Sequence, residues 1–547
     1  MKKTVFILVF DFVIILTSCQ NSLQFSQESI PTDFRVNSNL RTTPTPFQPE
    51  LTSETPKASI HVPEFLRDLI LTSDLNKIIS LVDGDKSFQC AVIPGKGNYQ
   101  VANITLIVVV PFKSVRDEIS SEELSKLLFE DAKNKSVSTE LFISHFGHQV
   151  LANLGKPLSN RVKTIDENEL SDHLIENPDA IGIIPFEKLE PDWKVLKIDN
   201  ISPLQNEFGR DAYFLNFNFS LACGQENDLA EKVYQELEYY SNRMENKLTV
   251  ILMSGTTALT RATANRMELY GNTYPGEAIK PWFDQSDYRH VSSETPFFDS
   301  CPNPDPFQKD LSFCSQPEYL ELFDYLGVNI IELTGNHLLD KGNAAFETTL
   351  NYFEDSGYQY YAGGFTEVDA KKPLLIDHNG NKIAFIGCNY AGPSNAWVTE
   401  STSGIVSCNF DELISQISSL RQEGYLPIVT FQFYESNYMR PSAAQIDYFR
   451  SMIDSGAIIV SGSQSHVPMA MEVYKNGFIH YGLGNLFFDQ MDFLNNRREF
   501  IDRHYFYDGK YINTELLTAL LTDYAKPIPM TQQERENLLS DAFIEIQ

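Results

Sequence analysis

Short runs of apolar, mostly β-branched residues recur between Leu248 and Tyr481 at intervals that a helix and its two loops would fill. They are Leu248-Leu252, Val328-Leu333, Ile383-Cys388, Ile428-Phe433, Ile458-Ser461 and Phe478-Tyr481. Runs this continuously apolar suit strands buried on both faces, and strands spaced by helical segments pair in parallel, so this stretch is constrained to a layered α/β domain. In open α/β sheets ligands gather beyond the carboxyl ends of the strands. The loop Leu333-Thr334-Gly335-Asn336-His337-Leu338-Leu339-Asp340-Lys341-Gly342 falls there, between one such run and a helical pattern carrying Phe346, Leu350 and Phe353. It would present an amide and an imidazole together.

Punctuation along the chain agrees with this division. Ser315-Gln316-Pro317-Glu318 combines a capping box with a proline in the first helical turn, ahead of Leu320, Phe323 and Leu326. Asn379-Gly380 predicts a β-hairpin joining Leu374-Ile376 to Ile383-Ile386, and Asp508-Gly509 a second, Tyr-rich one, before a last helix after Thr531. Between Ile60 and Asn246 the runs Ile104-Val110 and Ala180-Ile184 each end in Pro-Phe, which suggests two α/β lobes around the helix Glu122-Leu128. A helix over Asp228-Asn246, with Leu229, Val233, Leu237 and Tyr240 on one face, would close this part.

The N-terminus reads as an export signal. Lys2 and Lys3 precede the apolar run Val5-Leu16, too short to span a bilayer as a lasting helix, and Leu16-Thr17-Ser18-Cys19 resembles a bacterial lipobox with lipidation at Cys19. The following segment is rich in Ser, Thr, Pro and Gln and lacks apolar periodicity, as a disordered tether does. The expected organisation is a signal peptide over 1–19, a linker over 20–59, a smaller α/β domain over 60–246 and a larger one over 247–547. The molecule is thus expected to be an extracytoplasmic, membrane-anchored bacterial lipoprotein. A net charge of -30 excludes nucleic acid as a partner, since phosphate binding needs clustered Lys and Arg. An exported chain permits disulfides, and Cys301 with Cys314, flanking a Pro- and Asp-rich loop, is the expected pair. Cys90, Cys223, Cys388 and Cys408 read as buried free thiols, with a Cys90-Cys223 bridge left open.

Gly255-Thr256-Thr257, Ser293-Glu294-Thr295-Pro296, Gly335-Asn336-His337 with Asp340 and Gly342, Gln432 to Gln445 with Pro441, and Gly462-Ser463-Gln464-Ser465-His466 followed by Tyr481-Gly482-Leu483-Gly484-Asn485 form an ordered set. The set resembles the CapA-like capsule-synthesis (poly-γ-glutamate) family, whose domain is similar to calcineurin-like metallophosphoesterases. The 60–246 part more weakly resembles periplasmic substrate-binding proteins. The resemblance implies a four-layer α/β sandwich with a polar site on the loops at one sheet edge. It also exposes departures, because Thr256, Gln432 and Gln464 stand where the family shows Asp, His and His.

Neutral oxygen donors at three such positions would leave two tightly held cations under-ligated. Glu294, Asn336 and His466 remain for one weakly held divalent ion (manganese, iron or zinc), or the site works without metal. The resemblance assigns His337 to proton transfer, with Asn336 beside it; Asp340 orients its imidazole or caps the next helix. Thr256, Gln432, Glu435 and Gln464 are candidate substrate contacts, amides being suited to a polymer or sugar. Tyr434, Tyr438 and Tyr481 are expected in the core or at the rim. The first hypothesis is a hydrolase or transferase acting on, or helping to assemble, an anionic surface polymer. The alternative is a surface binding lipoprotein that recognises a small ligand or polymer without catalysis. A phosphodiesterase or nucleotidase ranks third, for want of the Asp and His ligands.

Overall fold

The structure, a computed structural model, describes residues 57–71, 79–83, 87–131, 139–224 and 227–546. The signal peptide, Cys19 and nearly all of the expected linker lie outside the described residues; residues 58 and 59 of that linker already belong to the strand Ala58–His61.

Among the described residues the N-terminal part forms one ten-stranded sheet built on the long strand Gln100–Pro111. Its first half pairs antiparallel with Asn216–Cys223 and its second half with Ile181–Pro185, where Leu106 lies opposite Pro185. The two expected lobes therefore share a strand, and the two Pro-Phe endings are on antiparallel neighbours. Helix Ser121–Phe129 starts where expected, capped by the Ser120 side chain. The helix expected over 228–246 is shorter, Asn227–Tyr234. Leu237 instead bridges to Leu71, and Tyr240–Ser241 pairs with Ala102 and Asn103, so sheet hydrogen bonding overrides the helical spacing.

The C-terminal part has two stacked sheets. The first runs Gln359–Tyr361, Ile330–Glu332, Tyr288–Ser293, Leu248–Thr257, Arg498–Tyr507, Lys510–Thr522, Lys526–Pro529, parallel through its first four strands. The second runs Leu374–His378, Asn381–Asn389, Leu426–Gln432, Ile459–Ser463, Gly477–His480, Met471–Tyr474. Ile251, Met253, Phe385, Ile428, Phe478 and Phe500 fill the space between them. On the outer face of the first sheet, helices Arg261–Tyr270, Glu321–Leu326 and Asn343–Ser356 bury Met267, Phe323, Phe346 and Phe353. On the outer face of the second, Phe410–Gln422 and Ala443–Asp454 bury Ile417, Phe449 and Met452. Helix, sheet, sheet, helix is the four-layer sandwich.

Both hairpin turns form as the sequence predicts, with Asn379 and Gly380 at φ 51° and 78° and Asp508 and Gly509 at 52° and 77°. The last helix, Gln532–Ala542, carries a full capping box from Thr531 and Glu534. The box expected at Ser315 is absent. Ser315 bonds Thr295 through its hydroxyl (2.8 Å), and the chain enters the one-turn helix Pro317–Leu320 through Gln316 with no side-chain cap. Gly255-Thr256-Thr257 is inside its strand, beyond the expected end at Leu252. Disulfides join Cys301 to Cys314, Cys90 to Cys223 and Cys388 to Cys408. The expectation of four free thiols is thus wrong; Cys90 and Cys223 are register partners on adjacent antiparallel strands, which brings their sulfurs into bonding range. Among the described residues no helix is long and apolar enough to cross a membrane.

Candidate functional site

The parallel strands of both sheets end at the same side. Thr256, Glu294, the 334–337 loop, Gln432 and the 463–466 segment lie at or just beyond the carboxyl ends of five of them. Two glycines let these ends close on one another. A side chain at Gly335 would place its Cβ 2.4 Å from the Ser293 carbonyl oxygen, and one at Gly255 would sit 2.1 Å from that of Gly484. Only a residue without Cβ allows such approach, so Gly335 is what brings Asn336 and His337 against Glu294.

Glu294 is fully buried. Its Oε1 accepts from Gln432 Nε2 (3.4 Å), while its Oε2 has no hydrogen-bond partner. Burial pushes its pKa up to about 7, helped by the neighbouring Glu332 carboxyl and opposed by the His337 charge. Gln432 Nε2 also donates to Asn336 Oδ1 (3.1 Å), and the Ser463 hydroxyl donates to Gln432 Oε1 (3.3 Å), which fixes the orientation of the amide.

His337 pairs through Nδ1 with Asp340 Oδ2 at 2.7 Å, and the same carboxylate accepts from the Phe313 amide, also at 2.7 Å. Asp340 therefore orients the imidazole, and helix Asn343–Ser356 begins after Gly342 without a side-chain cap. Burial pulls the His337 pKa down, but the Asp340 hydrogen bond and the Glu294 charge outweigh it and leave it raised. His466 sits on the next loop at φ 53°, its Nδ1 2.8 Å from Asn485 Oδ1. Burial lowers its pKa, and it feels the charges of Glu435, His337 and Arg261.

The structure thus links Glu294, Gln432 and Asn336 by hydrogen bonds, and His337, Asp340 and His466 to them by hydrogen bond or charge; Thr256 and Gln464 are placed only by their positions at the strand ends. Glu435 is exposed and reaches Glu294 and His466 through its charge. Tyr481 is core, its hydroxyl donating to Glu472 (2.6 Å), whereas Tyr434 and Tyr438 are exposed. Sequence reasoning missed Arg261, which pairs with Asp489 and lies over the rings of Phe313 (4.8 Å) and Phe488 (5.0 Å), the former ring tilted against His337 (4.6 Å). Nothing in local spacing links Arg261 to Asp489, 228 residues away.

Thr256 Oγ1, Glu294 Oε2 and Gln464 Oε1 are buried oxygens with no hydrogen-bond partner. Each keeps acceptor capacity for a hydrogen-bond donor. A dinuclear centre does not fit. Among the described residues no group of three His, Cys, Asp or Glu is placed to hold a metal. Gln432 turns its amide nitrogen, a donor, toward Glu294 and Asn336, where a cation would need acceptor oxygens.

Residues 234–490 match the family model of the bacterial capsule synthesis protein PGA_cap. The chain is 28% identical over 251 residues to the capsule biosynthesis protein CapA of Bacillus anthracis, covering 45% of this chain and 61% of that protein. It is 26% identical over 213 residues to the PGA biosynthesis protein CapA of Bacillus subtilis (strain 168), covering 39% and 56%. The match spans less than two thirds of either relative. Among solved structures, a 5′-nucleotidase precursor from Thermus thermophilus aligns at 12% identity over 54% of this chain and 58% of that one, with a TM-score of 0.33.

Proposed function

We propose that this chain, whose residues 234–490 match the family model of the bacterial capsule synthesis protein PGA_cap, works in the synthesis, attachment or processing of an anionic surface polymer such as capsule or poly-γ-glutamate. The proposal includes export and a lipid anchor on Cys19, holding the folded part at the outer surface of the membrane.

One observation supports a chemical role above the others: an imidazole held by Asp340 stands in electrostatic contact with a buried carboxyl that keeps one oxygen free. Such a pair can move protons in both directions near neutral pH. In cleavage or transfer at an acyl, amide or phosphoester linkage, Glu294 would take the proton of the attacking group. His337 would give one to the leaving atom. Asn336 and Gln432 would steady the polar substrate, and Arg261 would attract its negative charge.

Chromatographic sizing of poly-γ-glutamate after incubation with the purified protein tests this. Shortened or transferred chains are expected with the native protein and a loss of about 100-fold or more with His337→Ala or Glu294→Gln. Native protein that leaves the polymer unaltered while binding it would support the second reading, a non-catalytic surface binder, which the Gln432 amide between Glu294 and Asn336 favours. Neither cleavage nor binding would overturn both. The anchor is tested separately, by fatty-acid labelling that Cys19→Ala should abolish.

A further inference from the structure

A second polar cleft, of about 560 Å³, lies against the long strand of the N-terminal sheet, and its size is that of a small-molecule pocket. Its floor is a set of cross-strand amides. Asn218 Oδ1 accepts from Gln100 Nε2 (2.6 Å) and Asn103 Nδ2 (2.9 Å), and Asn216 Oδ1 accepts from the Thr105 hydroxyl (3.0 Å). With both lone pairs of its oxygen so occupied, Asn218 has only N–H donors left to offer, and Asn216 adds its own amide N–H groups.

Two guanidiniums stand over this floor. Arg210 donates to Asn103 Oδ1 (3.2 Å) and to the carbonyl of Arg243 (2.8 Å). Arg243 has no exposed side-chain surface and is held by the carbonyls of Pro203 and Gln205 and by the rings of Phe208 and Phe186, yet its Nη1 has no hydrogen-bond partner. Burial and the Arg210 charge press its pKa down to about 10, the mark of a cation short of anionic company. The nearest anion is Glu245, 58% exposed, whose Oε1 stands 3.4 Å from Arg210 Nη2 and 3.8 Å from Arg243 Nη1. Those are loose contacts for charge-assisted bonds, which close to about 2.7–2.9 Å when well made. Lys96, also lining the cleft, is paired with Asp211 at 2.5 Å. In a chain of net charge -30, a pocket whose floor offers amide donors, with two arginines sharing one loosely held carboxylate, suits an anion.

The geometry points to a ligand site in this cleft, separate from the one at Glu294 and His337, for a small molecule whose carboxylate seats between Arg210 and Arg243 in the place that Glu245 now holds. Glu245 is then a placeholder: it partly neutralises the two arginines and swings to solvent when the ligand enters. The amide floor donates to the rest of the ligand and favours one rich in carbonyl or carboxyl oxygen.

Titration calorimetry on the full folded chain, with L-glutamate, γ-glutamylglutamate and inorganic phosphate as probes, tests the assignment. At least one carboxylate probe should bind. Arg210→Gln should weaken it by about tenfold or more through loss of a charge-assisted pair. Glu245→Gln should tighten it several-fold, because a competitor has gone; a merely structural Glu245 would not do this. Arg210 and Glu245 keep exposed side-chain surface at the cleft rim, unlike the fully buried Arg243, which is why these two positions are the ones substituted. Binding of phosphate alone, no binding of either carboxylate, or affinity that Arg210→Gln and Glu245→Gln both leave unchanged would overturn the assignment.

Discussion

Burial penalises the Glu294 carboxylate and raises its pKa, and this makes the group visible in the pH dependence of stability. Its folded pKa of about 7 lies above the ordinary 4.5, so the folded form binds more protons in between, and stability is lost as pH rises from about 4.5 to 7. Glu294→Gln should therefore match the native protein at pH 4 and exceed it by about 1–3 kcal/mol at pH 8, as read from denaturant unfolding. A native profile retained in the variant would mean that Glu294 is ionised at neutral pH. His337 offers the opposite case: its proton is stabilised by Asp340 against the pull of burial. Asp340→Asn should lower the imidazole titration midpoint measured by NMR, and an unmoved midpoint would remove Asp340 from its orienting role. That His337 and Asp340 belong together was legible from three-residue spacing in a strand-to-helix loop. That Gln432 would bridge Glu294 and Asn336 was not, since its partners lie 138 and 96 residues away.

Segments show the same contrast between local and distant partners. The last helix starts after Thr531, as expected, and Thr531 and Glu534 close a capping box there, no other group among the described residues claiming the exposed hydroxyl. Thr531→Ala should cost about 1 kcal/mol in denaturant unfolding. The same pattern at Ser315 fails because the Thr295 hydroxyl, brought in by tertiary packing, takes the serine. The loop 334–342 depends on Gly335 in a stricter way. Its missing Cβ leaves room for the Ser293 carbonyl, a backbone atom that cannot swing aside. Gly335→Ala should destabilise by about 1–3 kcal/mol and displace His337, weakening any polymer binding or turnover along with stability. An alanine variant as stable and active as the native chain would show that the close approach is dispensable.

The two parts of the molecule are tied by contacts that neither would make alone. Leu248, Val250, Tyr505 and Tyr507 pack with Ile107, Phe186 and Trp193, and Arg535 of the last helix holds Asp117 at 2.6 and 2.9 Å. Asp117 also receives Lys194 at 2.5 Å. Despite burial, these cations hold its carboxyl down at about 2 against an ordinary 3.8. The contribution is thus complete above pH 4 and lost as pH falls through about 2. Asp117→Asn should cost about 1–3 kcal/mol at pH 7, leaving two cations without their anion, and should separate the thermal unfolding of the two parts in calorimetry. A single unshifted transition would show that the apolar contact alone holds them.

Periodicity is a local property, so the alternating apolar runs, the hairpin turns at Asn379-Gly380 and Asp508-Gly509 and the layered α/β class could be read from neighbouring residues. The ordered loop motifs likewise carried the resemblance to the capsule-synthesis family. The tertiary structure decided the rest. It paired Cys90 with Cys223 and Cys388 with Cys408, turned residues 235–241 from helix toward sheet, set Arg261 on Asp489, and put an amide nitrogen between Glu294 and Asn336. Each of these is a contact between groups far apart along the chain, and its energy exists only once the sheets have stacked and excluded water from between them.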